Sequence, residues 1–554
     1  MRILSYNPGH DGALAYIEDS HLMVSVESEK NSRFRYSPLA VPDVFNVFSE
    51  LKEAPDVLSR GGWWPSDTPL SEQHDIAGYH GVDDREIIVG KKRLMGETVE
   101  YFSSSHERSH LLCAFGMSDL PQGTPCYALL WEGVIGSFYE IDSGLNITKL
   151  ADVMPEPGHR YALLYGLADP TFDKSLAEFS RFSDAGKLMA LASFSERSKP
   201  TNEEEEIIEF LMQDCSHLKP WESQSLRHCR HYNVGFEDQE FRNFAGIFSS
   251  RIFNRFYQFA KLNMKKRLPL LISGGCGLNC DWNSKWKESD LFSHVFVPPV
   301  ANDSGSAIGT AIDAQFYFTG KSKISWSIYS GLEFEGNDEF DKSLFEVYTK
   351  DYAMIADILA NNLIIGWVNG KYEIGPRALG NRSILASPFQ DDTRQRLNVI
   401  KQREQYRPIA PVCLEDDAKI LFDCDHPSPY MLYTCFASTD SLKAVTHANG
   451  TARIQTVSPE SNSPLCDLLQ AFKLRTGYGV LCNTSLNFNG RGFINNISDL
   501  ASYTIKHSLD GFVVDERCYL LKSSVNYQAY LKLPNSTASE SGSPPSFAGE
   551  AIRV

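Results

Sequence analysis

Two histidines one helical turn apart, His106 and His110, are the first residues whose types and spacing suit chemistry. Positions i and i+4 share a helix face, and two imidazoles on one face can bind one metal ion. Such a pair also arises by chance as surface or capping histidines, so it needs partners. Two carboxylates can complete a site of the iron or zinc type. Glu132 follows the β-prone run CYALLW and precedes Gly133, and Asp303 lies after VFVPPVAN, two residues before Gly305. Carboxylates at strand ends beside glycine are well placed to point into a cleft. Either one alone also serves as a helix cap or turn former.

A second group of motifs suits anions. The apolar run LPLLIS leads into Ser273-Gly274-Gly275-Cys276-Gly277-Leu278-Asn279. Glycines let backbone N–H groups approach phosphate, and a following helix N-terminus favours negative charge. Asp184-Ala185-Gly186-Lys187 adds a cation for phosphate, with a solvated lysine as its plain alternative. In EIGPRALGNRS, Arg377 and Arg382 stand in a loop stiffened by proline, followed by Lys401, Arg403 and Arg407 in KQREQYRPIAP. Arginine is the planar, bidentate ligand for phosphate or carboxylate. His447, Thr451 and Arg453 come next, and then Asn483-Thr484-Ser485-Leu486-Asn487 after the apolar run YGVLC. A polar cluster leaving a strand can donate several hydrogen bonds to a phosphoryl or carbonyl group, or simply close a turn.

These residues need elements to hold them. Residues 2–6, 12–18 and 22–27 read as strands, with a turn at 7–11 that carries His10, Asp11 and Gly12. Residues 106–117 read as a helix, 126–132 and 134–141 as strands, and 201–213 and 241–264 as helices. Residues 268–273 read as a buried strand, 304–318 as a small-residue helix, and 363–368 as the first strand of a new block. The strand–turn pattern at 2–27 and again at 126–141 points to a duplicated fold. The division is expected at about residue 350, giving domains 1–350 and 351–533. The Ser-, Pro- and Gly-rich stretch 534–554 is expected to be disordered.

Composition bounds the function. A chain of 554 residues with 42% apolar and 22% charged residues is ordinary globular material, long enough for several cores. A net charge of −17 argues against a surface built to grip nucleic acid. A basic cluster within so acidic a chain points instead to a specific anion pocket. The twelve cysteines show no CxxC pair, and five (Cys113, Cys126, Cys413, Cys435, Cys482) sit in apolar runs as buried free thiols. No apolar run approaches the ~20 residues of a membrane span, and the N-terminus has no signal-peptide core. A cytoplasmic protein without membrane partners is expected, and oligomeric state is open.

In this order the motifs resemble the O-carbamoyltransferase family, which modifies nodulation factors, tobramycin-type aminoglycosides and cephamycins in natural-product pathways. The stretches EIGPRALGNRSILASP, REQYRPIAP, VTHANGTARIQTV and CNTSLN carry the resemblance, with GHDGA, the HxxxH helix, DAGKLMALA and SGGCGLNCDWN in agreement. It implies an α/β protein. The N-terminal domain would be actin-like and sugar-kinase-like, similar to the enzyme that attaches threonylcarbamoyl to tRNA. The C-terminal domain would be similar to the one that makes threonylcarbamoyl-adenylate. It further implies that ATP and carbamoyl phosphate are joined as carbamoyl-adenylate, with Mg2+, and that an Fe2+ or another divalent ion held by His106, His110, Glu132 and Asp303 assists transfer to a small-molecule hydroxyl. Arg377, Arg382, Lys401, Arg403, Arg407 and Arg453 would neutralise phosphoryl charge, with His447, Thr451, Thr484 and Asn487 beside them. Ser485 and Asn483 would orient the carbamoyl group. Gly12, Lys187, Gly274, Gly275 and Asn279 would hold the nucleotide, and His10 beside Asp11 would take the acceptor's proton. Two departures stand out: Glu132-Gly133 replaces an Asp-Gly step, and Ser105 replaces a histidine before His106.

Other readings are a tRNA threonylcarbamoyl-type enzyme, an actin-like kinase or ATPase, and a non-catalytic binding module. The acidic charge counts against the first and the dense C-terminal basic motifs against the second.

Overall fold

The computed structural model describes residues 1–32, 34–68, 73–174, 181–216, 218–336, 339–489 and 491–533. The stretch 534–554 lies outside the described residues. Three main sheets carry the architecture.

The first sheet comprises β1 (Arg2–Asn7), β2 (Ala13–Glu18), β3 (His21–Glu27), β4 (Val57–Gly61), β5 (Ile88–Leu94) and β6 (Glu97–Ser104), in the order β3-β2-β1-β4-β6-β5. Strands β1, β2 and β3 pair antiparallel, and β4 and β6 add in parallel. The second sheet comprises β7 (Cys126–Trp131), β8 (Gly136–Ile141), β9 (Ile147–Asp152), β10 (Leu270–Ser273) and β11 (Val295–Phe296), in the order β11-β10-β7-β8-β9. It repeats the plan: β7, β8 and β9 are antiparallel, while β10 and β11 add in parallel to β7. Three antiparallel strands followed by two parallel ones, twice over, is the duplicated topology of actin-like and sugar-kinase-like proteins. The doubling read from the strand–turn patterns is real.

Each sheet delivers its chain into a helix, His106–Met117 after β6 and Ser306–Thr319 after β11. The two helices pack on each other between the sheets. Arg108 bridges them, its Nε 2.7 Å and its Nη2 3.0 Å from the two carboxylate oxygens of buried Asp313. The first of these helices is buried throughout, which explains why its apolar residues show no one-sided pattern.

The C-terminal part is one mixed sheet of eight strands: β12 (Phe345–Thr349), β13 (Ile365–Val368), β14 (Arg382–Ala386), β15 (Ala410–Leu414), β18 (Gln455–Val457), β19 (Val480–Ser485), β20 (Gly511–Val514) and β21 (Arg517–Leu521). A two-stranded ribbon, β16 (Cys435–Phe436) with β17 (Thr451–Ala452), lies outside it. The expected division near 350 falls at the end of β12, which pairs with β21. Apolar clusters on both faces of this sheet make it an α/β layer structure. Among the described residues no helix is long and apolar enough to cross a membrane.

Candidate functional site

The C-terminal ends of parallel strands converge on one polar centre, as ligand sites do in α/β sheets. Glu132 follows β7, Ser273 ends β10, and His10 and Asp11 follow β1. The helix bearing His106 and His110 starts at Ser105, whose Oγ accepts a hydrogen bond from Arg108 N at 3.0 Å. Ser105 is thus the N-cap, which accounts for the serine at that position. Asp303 stands in the single turn that leads into the Ser306–Thr319 helix.

His106 Nε2 lies 3.1 Å from His110 Nε2 and 3.3 Å from Glu132 Oε2. His110 Nε2 lies 3.3 Å from Asp303 Oδ1 and 3.4 Å from Glu132 Oε2. One ligand atom from each of the four residues lies within 4.8 Å of the others. All four side chains are buried. Glu132 therefore reaches the centre despite its extra methylene. The two imidazole nitrogens face each other with Glu132 Oε2 within 3.4 Å of both, and Asp303 Oδ2 is buried without a hydrogen bond. Such a donor set, two nitrogens and two carboxylates, fits a divalent cation of the iron or zinc type. Outer partners hold the ligands in place: Ser273 Oγ is 3.1 Å from His110 Nδ1, and the Tyr79 hydroxyl donates to Glu132 Oε1 at 2.7 Å. Tyr79 also stacks on the His106 ring, with Trp63 edge-on.

His10 joins this centre. Its Nδ1 is 3.1 Å from Asp11 Oδ2 and its Nε2 3.4 Å from Asp303 Oδ2. Burial alone would lower its pKa, but the Asp303 and Asp11 carboxylates outweigh burial and raise it to about 9. Burial would raise the Asp303 carboxyl, but His10, His106 and His110 reverse this and hold it below the usual range.

The second polar region belongs to the C-terminal domain. Burial first, and then Arg453, pushes the Arg377 guanidinium down to about 9; burial, Arg407 and Arg453 do the same to Arg403. Lys401 is driven well below its usual value by burial and by Arg403 and Arg407. His447 falls to about 3 through burial and Arg453. These cations feel one another, and the buried Nε atoms of Arg377 and Arg453 have no hydrogen-bond partner. Lys401 Nζ reaches Ser485 O at 2.5 Å and also the Asn487 side-chain oxygen. His447 Nδ1 is 3.0 Å from Thr451 Oγ1. The structure thus brings together Lys401, Ser485 and Asn487 by direct contact, and Arg377, Arg403, Arg407, Arg453 and His447 by charge.

Several expected ligand residues have structural partners instead. Arg382 Nη1 donates to the carbonyls of Asn369, Gly370 and Asn381, and its guanidinium lies over Phe334. It closes its own loop and stands apart from the arginine cluster. Asn483 donates to Ala378 O at 3.2 Å and Gln455 Oε1 at 2.8 Å, so it braces the loop of Arg377. The approach to Gly12 is filled by the chain at Pro38 and Leu39, so Gly12 serves packing. Lys187 lies 3.3 Å from Asp184 and 3.7 Å from Glu404. Asn279 caps the helix Cys280–Glu288, with its Nδ2 buried and unpartnered. Thr484 lies in β19, opposite Ile384.

Residues missed in the sequence are Tyr79, Trp63 and Arg35. Arg35 sits in the N-terminal domain, yet its charge acts on Arg377. The glycine-flanked pair Trp63-Trp64 was the available signal for the aromatic wall. The two regions touch: Arg377 Nη2 donates to Leu278 O at 2.9 Å, directly behind the glycine turn.

An enzyme with a polar centre in its N-terminal half and a buried cluster of cations in its C-terminal half accounts for this arrangement. Comparison with known proteins narrows the class. Residues 85–312 match the carbamoyltransferase N-terminus and residues 356–521 the carbamoyltransferase C-terminus. The chain is 46% identical to a 3'-hydroxymethylcephem-O-carbamoyltransferase of Amycolatopsis lactamdurans, over 94% of this chain and 99% of that protein. It is 44% identical to the protein of the same name in Streptomyces clavuligerus, with the same coverage. It is 31% identical to nodulation protein U of Rhizobium tropici, over 89% of this chain and 92% of that protein. The chain belongs to the carbamoyltransferase family and is a transferase.

Proposed function

We propose that this enzyme makes carbamoyl-adenylate from ATP and carbamoyl phosphate and transfers the carbamoyl group to a hydroxyl of a small natural product. The observation that carries this reading is the crowd of guanidinium groups, two with buried and unfilled Nε donors. Clustered cations of this kind suit polyanions, and both proposed substrates are polyanions.

In the C-terminal pocket, water releases inorganic phosphate from carbamoyl phosphate and leaves carbamate. A carbamate oxygen then attacks the α-phosphorus of ATP, and the bond to pyrophosphate breaks. Arg377, Arg403, Arg407 and Arg453 take up the charge that develops on the phosphoryl oxygens, with Mg2+ on the triphosphate. Lys401 and Ser485 border the carbamoyl end. In the N-terminal centre the acceptor oxygen attacks the carbamoyl carbon, the bond to the adenylate oxygen breaks, and AMP leaves. His10 receives the hydroxyl proton. His106, His110, Glu132 and Asp303 would hold a divalent cation, which would supply Lewis acidity there, with His10 beside Asp303 placed to take the proton. Fe2+ is the first ion to test.

The relatives at 46% and 44% identity carry 3'-hydroxymethylcephem in their names, so a primary hydroxymethyl on a cephem ring is the first acceptor to try. The test is pyrophosphate and AMP release with ATP and carbamoyl phosphate, with and without iron. Release that requires carbamoyl phosphate and vanishes in Arg407→Ala supports adenylate formation. Folded, metal-loaded protein that releases none would falsify the mechanism.

A further inference from the structure

Cys424, His426 and Cys435 form a second group of metal-ligating side chains, sharing no residue with the His106 centre. Cys424 follows the helix Glu415–Phe422 after one left-handed residue, Asp423, and Cys435 opens β16. Both thiols are buried. Cys424 Sγ lies 4.0 Å from His426 Nε2, and one ligand atom from each residue lies within 4.8 Å of the others. His426 Nδ1 is 3.1 Å from Asp425 Oδ1. With the Nδ1–H donated to that carboxylate, the Nε2 lone pair faces the sulfur atoms, the arrangement that orients a metal-binding histidine.

Tetrahedral zinc with Zn–S of about 2.3 Å and Zn–N of about 2.0–2.1 Å separates neighbouring ligand atoms by roughly 3.5–3.8 Å. The group needs only slight contraction to reach this. Two thiolates and one imidazole select a soft divalent ion. Two thiolate charges neutralise the dication, and Asp425 is set against Lys287, whose ammonium feels Cys424, Asp425 and Cys435.

We propose that Cys424, His426 and Cys435 bind one zinc ion, with water as fourth ligand, and that this ion staples the excursion from 423 to 436. That excursion docks on the N-terminal domain. Asn283 Nδ2 donates to Leu432 O at 3.0 Å, Thr434 N donates to Ser284 Oγ at 2.8 Å, and the Tyr433 hydroxyl donates to Val295 O at 3.1 Å. Asn283 and Ser284 lie on the helix Cys280–Glu288, directly after the glycine turn. The ion would therefore hold the nucleotide turn against the arginine pocket.

The test titrates Co2+ into full-length, zinc-depleted, reduced protein. A thiolate-to-cobalt charge-transfer band that is bleached by Zn2+, and that saturates at one equivalent once the His106 centre is removed, is expected; a centre of two histidines and two carboxylates gives no such band. The band should vanish in Cys424→Ser and in Cys435→Ser and persist in the double variant His106→Ala/His110→Ala. No band in the wild-type protein overturns the proposal, and so does a band that survives Cys435→Ser. A thiol count that finds Cys424 and Cys435 joined as a disulfide in freshly purified protein also overturns it.

Discussion

Gly274 and Gly275 are neighbours, and the same substitution should fail in two different ways. Gly274 has φ +90° and ψ 161°, a region that side chains other than glycine's enter at a cost of about 1–3 kcal/mol. A Cβ there would also run into the Trp131 carbonyl group, 2.7 Å from its carbon, and stand 3.1 Å from Glu132 Cβ. The Trp131 backbone belongs to β7 and cannot yield cheaply, and overpacking of this kind adds about 1–3 kcal/mol. Gly274→Ala should therefore destabilise by roughly 2–6 kcal/mol, lowering Tm by about 4–24 °C at about 2–4 °C per kcal/mol. At Gly275 an added Cβ meets nothing within 4 Å. Gly275→Ala should hold Tm within about 2 °C. Its methyl would instead occupy the space proposed for the nucleotide, raising KM for ATP roughly tenfold for a steric cost of about 1.4 kcal/mol. Thermal unfolding and pyrophosphate release on both variants decide it. Wild-type Tm in Gly274→Ala would refute the steric reasoning. An unchanged KM for ATP in Gly275→Ala would remove the turn from the nucleotide site.

Three other outcomes follow from the charges. Lys401 is held well below its usual value by burial, Arg403 and Arg407, and a bound phosphate would offset those neighbours. Binding should therefore take up protons and weaken as pH rises, which calorimetry in buffers of different ionisation enthalpy reads directly; proton release on binding would contradict it. Breaking the buried Arg108–Asp313 bridge by Asp313→Asn should cost about 3 kcal/mol, because it leaves the guanidinium only the Val82 carbonyl and the exposed Asp84 carboxylate; denaturant unfolding that gives under 1 kcal/mol would contradict it. His447 falls to about 3 through burial and Arg453, so between that value and its unfolded value of about 6.5 the unfolded chain binds the extra proton. Its contribution is complete above about 6.5 and is lost as pH falls toward 3. His447→Gln should flatten the fall of Tm over that window, and parallel wild-type and variant curves would show that His447 plays no part.

The meeting of His106, His110, Glu132 and Asp303 was legible because each of them leaves a local mark. His106 and His110 show helical spacing, and Glu132 and Asp303 sit at strand or loop ends near glycine. The doubled topology was legible from two matching strand–turn runs. The arginine loop was legible only in part: a Gly- and Pro-rich loop announces two arginines, but not that Arg382 Nη1 turns onto three carbonyls nearby in its own domain while Arg377 Nη2 reaches across to Leu278 O. The distinction is made by backbone geometry over a dozen residues. Gly12 misled for a similar reason, since its neighbour in space, Leu39, is far along the chain. Tyr79, Trp63 and Arg35 reach their sites through tertiary contacts that no spacing encodes. Cys424 and Cys435 are eleven positions apart, outside any short motif, and meet because a ribbon and a helix end bring them together.

The two polar regions share one wall, and this matters more than their separation into domains. Gly274 abuts Trp131, the residue before Glu132, so the glycine turn and a cluster carboxylate cannot move independently. Four residues on, Leu278 O accepts from Arg377, tying the same turn to the arginine cluster. On the opposite side Glu27 Oε1 accepts from Lys30 at 2.9 Å and from Gly375 N at 2.6 Å, and Lys30 also donates to Glu373 O. These buried charges fix the arginine loop to the first sheet. Both flanks of the Arg377 loop are thus anchored on N-terminal elements that also carry or border the metal-type centre. Were a ligand at the arginines to shift the Gly274 turn, linkage would require an ion held by Glu132 to change that ligand's affinity by the same factor.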